Sequence, residues 1–327
     1  MRTTVAIARK PVFVAVSLCA VFLCAWVVFI GSRDPPVGRR VSHIALSSTG
    51  RWLAAGTGQG RITVWDQTRP DAPKQIAFPR GTLNDLQFSP DERVLAIASK
   101  DLGIYAPAES AAPRLLRSDH ENYGSARFSR DGQTVLVVTG AGLIETIDRR
   151  SGALRLKVCC SSIYGEAIFT PDGQTIANAG HWPGLWDARS GRPIGKLTAS
   201  REFFTFGPIA FDARRDAILM GSQDGRVYAW DLKTRQRISA SPAQPSYVDT
   251  LVISGNGWAI FAGFGKDMQF WNPDTGQRRS LPAARPTSNL VLGPDGASII
   301  FGTADGNIEF WDLRTEQCVR AMKVPEA

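Results

Sequence analysis

Histidine is scarce in this chain, with three residues (His43, His120 and His181) among 327. Acid–base chemistry of the His/Asp kind therefore has little material. Familiar catalytic signatures are missing as well. There is no Gly-x-Ser-x-Gly elbow, no Walker loop, no His-Glu-x-x-His and no dinucleotide fingerprint followed by an acid. The glycines of Gly58-Gln59-Gly60 and Gly221-Ser222-Gln223-Asp224-Gly225 read as hairpin residues, not phosphate cradles. The five cysteines have neither framework spacing nor a zinc pattern. Cys159 and Cys160 are adjacent, and read as two small semi-buried residues at a strand end, with a vicinal disulfide as the alternative. A dense Lys/Arg run of the kind that marks nucleic-acid binding is also lacking. The net charge of +8 is a mild excess, 38 basic against 30 acidic residues, and it describes a solvated surface.

What the chain does have is one long uncharged stretch. From Val12 to Ile30 there is no charged residue, and Val, Ala, Leu, Phe and Cys dominate. That length matches a bilayer core of ~30 Å at ~1.5 Å per residue. Arg2, Arg9 and Lys10 precede it. A cleavable signal would have a shorter apolar run and a small-x-small ending, and Val27-Val28-Phe29-Ile30-Gly31-Ser32 is a poor cleavage site. The expectation is a basic tail (1–10), an uncleaved transmembrane signal-anchor helix (11–31), a linker (32–40) and one large domain (41–327). Arginines flank both ends, so the positive-inside rule separates the two sides weakly. The short basic tail favours the amino terminus inside and the large domain outside the cytoplasm, in the periplasm if the source is bacterial.

The large domain is repetitive. One tight turn recurs as Ser47-Ser48-Thr49-Gly50, Ser89-Pro90-Asp91-Glu92, Ser129-Arg130-Asp131-Gly132, Thr170-Pro171-Asp172-Gly173, Asp212-Ala213-Arg214-Arg215, Ser254-Gly255-Asn256-Gly257 and Gly293-Pro294-Asp295-Gly296. Successive starts lie 42, 40, 41, 42, 42 and 39 residues apart. Pro presets φ, Asp bonds its neighbouring backbone and Gly accepts φ > 0. Short apolar runs such as Leu86-Gln87-Phe88 and Val94-Leu95-Ala96-Ile97 flank the turns, as strands covered on both faces do. A third run follows in each unit, then a turn and a fourth strand. Four strands per ~40 residues, seven times over, predict an all-β, seven-bladed β-propeller.

The third run ends in Trp-Asp at 65–66, 186–187, 230–231 and 311–312, in Trp-Asn at 271–272, in Tyr-Ala at 105–106 and in Ile-Asp at 147–148. From about Val41 to Val324 the chain resembles the WD40-repeat family, and the anchor suggests a membrane-bound, bacterial member. The Gly-His pair that usually precedes each repeat of the family is missing at those places, so its buried Asp–His–Ser/Thr–Trp network cannot form and blade packing must rest on apolar side chains. Asp224 and Asp305 sit where the family's hairpin aspartates sit and are expected only to shape Asp-Gly turns. Each blade is contiguous in sequence, so closure is expected to rely on face packing of blade seven against blade one, unless residues 35–40 add a strand.

The resemblance implies a non-catalytic scaffold that binds on one face and around the central mouth. The loops after the fourth strands and between the second and third strands carry Arg80, His120, Tyr123, Tyr164, His181, Trp182, Arg201, Phe204, Tyr247, Lys266 and Arg285. Aromatic and Arg side chains of this kind dominate protein interfaces. Three residues before the last apolar residue of each innermost strand stand His43, Asp85, Ser125, Glu166, Pro208, Thr250 and Asn289. Of these, His43, Asp85, Glu166 and Asn289 could converge on the channel mouth. Oxygen and imidazole groups around an axis could hold a metal, which makes a propeller hydrolase or metal-dependent enzyme the alternative. The expected partner is a protein or peptide in or near the membrane. A monomer is expected, with no cofactor, no bound metal and no nucleic acid.

Overall fold

The computed structural model describes residues 40–57, 60–78, 81–120, 122–159, 165–180, 183–197, 207–282 and 284–325. The expected anchor lies outside the described residues, and among those described no helix is long and apolar enough to cross a membrane. They form seven four-stranded antiparallel sheets, each built from consecutive strands of the chain. These are the blades of a propeller, as the repeat predicts. The innermost strands are Val41–Leu46, Asp85–Phe88, Tyr123–Phe128, Ala167–Phe169, Ile209–Asp212, Thr250–Ile253 and Val291–Leu292. The outermost are Lys74–Ala77, Arg114–Arg117, Leu154–Cys159, Pro193–Lys196, Arg237–Ala240, Arg278–Leu281 and Gln317–Lys323.

The recurrent turn joins the first two strands of a blade. The amide of its fourth residue returns to the carbonyl of its first in all seven blades, at 2.8 Å in Gly132 to Ser129 and Gly173 to Thr170 and at 3.3 Å in Arg215 to Asp212. In six blades that fourth residue is left-handed, with φ of 66° at Gly132 and 71° at Gly173, and in blade five the next residue, Asp216, takes φ 50° instead. Glu92 takes the position in blade two at φ 56°. Its carboxylate offsets the strain by accepting hydrogen bonds from Ser48 and Thr49 of blade one.

The Trp-Asp ending divides into two jobs. Trp65, Trp230, Trp271 and Trp311 are buried between blades, as are Tyr105 and Ile147 where the dipeptide is lost. The aspartate closes the following turn by accepting backbone amides: Asp148 from Arg150 and Ser151, Asp231 from Thr234, Asp312 from Arg314 and Thr315. These bonds hold Asp148 and Asp231 below the ordinary carboxylate range; the Arg314 guanidinium is the largest cause for Asp312, and the Arg51 guanidinium for Asp66, which falls to about 2. A depressed folded-state pKa contributes stability above the unfolded value and loses it as pH falls. The urea midpoint is therefore expected to drop between pH 4 and pH 2, and less steeply in an Asp66→Asn/Asp148→Asn variant.

The core lies between blades, not within them. Each hydrophobic cluster spans neighbouring sheets, such as Ala45, Trp52 and Ile62 of blade one with Leu86, Phe88 and Leu95 of blade two. The cluster of Val41, Ile44, Phe270, Phe301 and Trp311 joins blades six, seven and one. Closure goes beyond the expected face packing. Thr303 accepts the Val41 amide at 3.4 Å, and the Thr287 hydroxyl donates to the Val41 carbonyl at 3.1 Å.

Polar bracing is also richer than expected without the histidine network. Trp186 donates to Asn178 at 2.8 Å and Trp311 to Glu309 at 2.7 Å. Asp224 does more than shape its turn. One oxygen accepts the Arg226 amide and the other accepts the Tyr228 hydroxyl at 2.5 Å. Asp305 stays within its hairpin, bonded by Thr303 and Asn307.

Candidate functional site

The mouth end of the innermost strands surrounds a central cavity of about 390 Å³. Asp85, Arg127, Glu166, Asp249, Thr250 and Asn289 supply its polar lining. Three of the four residues expected at the mouth are therefore there, with His43 at the same end of its strand.

They do not form a ligand set. Asp85, Glu166, Thr250 and Asn289 each accept a backbone amide from the innermost strand of the next blade. Asp85 takes Ala126 at 3.0 Å, Thr250 takes Leu290 at 2.8 Å and Asn289 takes Ile44 at 2.8 Å. Glu166 takes Ile209. In every case the donor lies two residues before the last apolar residue of its strand, so one register repeats around the ring. The reason is geometric. Neighbouring innermost strands splay around the axis and cannot pair backbone to backbone, so a side-chain oxygen satisfies the exposed amide. At the closure Asn289 does this twice, since its amide nitrogen also donates to the Ile44 carbonyl at 2.9 Å. Ser125 is buried and among the described residues its hydroxyl has no partner, and Pro208 has no side-chain oxygen to accept with.

The alternative of a metal site draws no support from this arrangement. Asp85 also accepts the Leu86 amide and the Arg127 guanidinium, and both polar atoms of Asn289 are used. Among the described residues no group of three or more His, Cys, Asp or Glu is placed to hold a metal ion.

Arg127, which the sequence reading passed over, organises the cavity. It bridges Asp85 of blade two and Glu166 of blade four, the latter at 3.2 Å, and so ties three consecutive blades. Burial opposes its charge, but the two carboxylates outweigh that and hold its pKa above the ordinary arginine range. A signal was present. The residue just before the last apolar residue reads Ala45, Gln87, Arg127, Ile168, Ala210, Val252 and Val291, with a charge only in blade three.

Burial is the largest influence on two neighbours. It lowers the pKa of His43, with Arg127 and Arg40 acting the same way and Asp85 against, so the ring is neutral at neutral pH. It raises the pKa of Glu166, partly countered by Arg127. A raised folded-state pKa contributes stability that is full below the unfolded value, about 4.3, and is lost as pH rises through the folded value. The stability advantage of the wild type over Glu166→Gln is therefore expected to shrink as pH rises from 4 to 7. Paired urea titrations check this.

The loop-face residues divide. Arg80, Tyr164, His181, Trp182, Arg201 and Phe204 lie outside the described residues. Tyr123 is not an available contact. It is fully buried and its hydroxyl donates to Asp119 at 2.6 Å, because its ring packs in the core between blades two and three. His120 is half-buried, with Nε2 2.9 Å from the buried Glu145, and serves that pairing first. Tyr247, Lys266 and Arg285 are exposed, Tyr247 by 50%. Phe264, also missed, is 36% exposed beneath the Arg40 guanidinium at 4.4 Å. Cys159, expected half-buried, is exposed.

Comparison with known proteins agrees with this architecture. Residues 29–66 match the family described as WD domain, G-beta repeat. The chain is 26% identical over 86% of its length to telomerase protein component 1 of Rattus norvegicus, covering 11% of that protein. It is 19% identical over 84% to the periodic tryptophan protein 2 homolog of Caenorhabditis elegans, covering 26%. It is 21% identical over 81% to actin-interacting protein 1 of Drosophila melanogaster, covering 46%. The chain thus spans less than half of each of these relatives. All three are eukaryotic and lend no support to a bacterial source. The family match and the seven blades make the chain similar to WD40-repeat proteins.

Proposed function

We propose that this WD40-repeat propeller is a membrane-tethered, non-catalytic scaffold that docks a protein or peptide on its mouth face. The carrying observation is the surface beside the channel on blades six and seven. There Tyr247, Phe264, Lys266 and Arg285 stand exposed, with the Arg40 guanidinium over the Phe264 ring and Arg285 paired with Asp267. Aromatic and Arg side chains on a rigid ring offer large contact area at low ordering cost. A further support is that the name of one relative, actin-interacting protein 1, describes a protein interaction for that protein. The uncharged stretch from Val12 to Ile30 supports the tether, with the propeller outside the cytoplasm. Holding a binder at a surface raises its effective concentration towards other membrane components.

The test is crosslinking and pull-down from solubilised membranes with the wild type and a Tyr247→Ala/Phe264→Ala/Arg285→Ala variant. A partner captured by the wild type and lost from the variant supports the reading. An unchanged partner set sinks the proposed face. A reporter fused after Ala327 tests the orientation: activity only in the cytoplasm overturns it.

A further inference from the structure

The clefts between blades on the turn face, opposite the mouth, are closed in one place by an arginine and left open in the next. In blade three, Arg149 follows the turn aspartate Asp148. It is buried and reaches Asp91 of blade two through Nη1, at 3.1 and 2.9 Å from the two carboxylate oxygens. Blade four repeats this geometry. The Ala188 amide donates to Gln174 at 2.8 Å, as the Arg149 amide donates to Gln133 at 2.9 Å. Asp131 stands in the place of Asp91, held by Ser129 as Asp91 is held by Ser89. The arginine, however, is replaced by a methyl group. Around the ring this position reads Gln67, Pro107, Arg149, Ala188, Leu232, Pro273 and Leu313, and Ala188 is the smallest.

The cavity follows from that substitution. A groove of about 960 Å³ opens between blades three and four. A Cβ on Gly132 would lie 3.6 Å from Arg149 Nη1, whereas one on Gly173, its equivalent, would meet nothing within 4 Å. Asp131 uses Oδ1 for Ser129 and Gln133, and among the described residues Oδ2 has no hydrogen bond. Half-buried Leu156 and Phe169 add apolar lining, and Arg130, Arg155 and Arg189 stand around it with Asp172 and Asp187. Arg155, itself paired with Asp148, favours the charged form of Asp131 less than the bonds from Ser129 and Gln133 do.

We infer that this groove receives an arginine side chain from a protein partner, its guanidinium pairing with Asp131 as Arg149 pairs with Asp91. The neighbouring cleft supplies the template: the same carboxylate, in the same turn, with the cation built in. A planar guanidinium forms forked bonds to a carboxylate while its stem covers apolar surface, which a neutral urea of the same shape does less well. The inference does not depend on the mouth-face reading.

The test uses the full chain in detergent micelles with N-acetyl-argininamide as probe and the citrulline analogue as control, read by saturation-transfer difference NMR. The arginine probe is expected to bind at least about tenfold better than the citrulline probe, the size of one modest charge-assisted contact. Ala188→Arg is expected to abolish binding by filling the groove from within, and to raise the melting temperature. Asp131→Asn is expected to remove the preference over citrulline. Equal binding of the two probes, or undiminished binding to Ala188→Arg in a folded protein, overturns the inference.

Discussion

Arg127→Met is expected to lower the unfolding free energy at pH 7 by about 3–5 kcal/mol, the usual cost of stranding buried charges. The loss comes from what remains. Asp85 is 6% exposed and Glu166 lies in the same cavity, and both lose their cation. Asp85 cannot turn to solvent without giving up the Ala126 amide. Methionine keeps the stem length, so lost packing is a minor part. Two further readouts separate charge from shape. The deficit is expected to shrink as pH falls towards 4, because the stranded carboxylates then take up protons. Adding Asp85→Asn and Glu166→Gln is expected to recover much of it, since each amide oxygen still accepts the next blade's amide, Ala126 or Ile209, without a net charge, while Asp85→Asn gives up the Leu86 amide. Urea unfolding of the four proteins at pH 7 and pH 4 checks the whole pattern. A deficit that ignores pH would show that Arg127 acts through packing alone.

Asn289→Leu is expected to cost about 2–6 kcal/mol, from an unsatisfied amide and carbonyl at roughly 1–3 kcal/mol each. Both groups belong to Ile44, which is fully buried and 245 residues away in sequence. Leucine is close in size but offers no polar atom. The position matters because blades one and seven have no covalent continuity, whereas every other neighbouring pair is joined by a loop. Thr250→Val is the matched control. It removes one equivalent bond, to Leu290, at a junction the chain already connects, and is expected to cost about 1–2 kcal/mol. Hydrogen exchange gives the local readout. Faster exchange is expected at Ile44 and along Val41–Leu46 in Asn289→Leu, and not in Thr250→Val. Equal exchange in the two variants would remove Asn289 from any special part in closure.

Fold and site were legible to different depths. The seven blades could be read because their determinants are local: a turn whose fourth residue needs φ > 0, apolar runs beside it, and an aspartate that accepts amides two or three residues on. Each acts within one blade, so each repeats with the period of the chain. The ring of residues from His43 to Asn289 was also visible as a set that must share one end of the innermost strands.

What those residues do was not legible. Seen in sequence, Asp85, Glu166 and Asn289 are oxygen groups around an axis, and a metal site is the alternative they leave open. In the folded ring the same oxygens face unpaired amides of the next blade, because splayed strands leave those amides without a backbone partner. Arg127 and Tyr123 show the same limit. A lone arginine among apolar neighbours became the cation that joins three blades, and a loop-end tyrosine became core. The sequence by itself determined the repeat, the strand pattern and the turns, since these depend on neighbours along the chain. Tertiary structure alone decided which polar groups are consumed in holding blade to blade and which are left facing solvent, because those pairings join residues about 40 positions apart and, at the closure, nearly the whole length of the propeller.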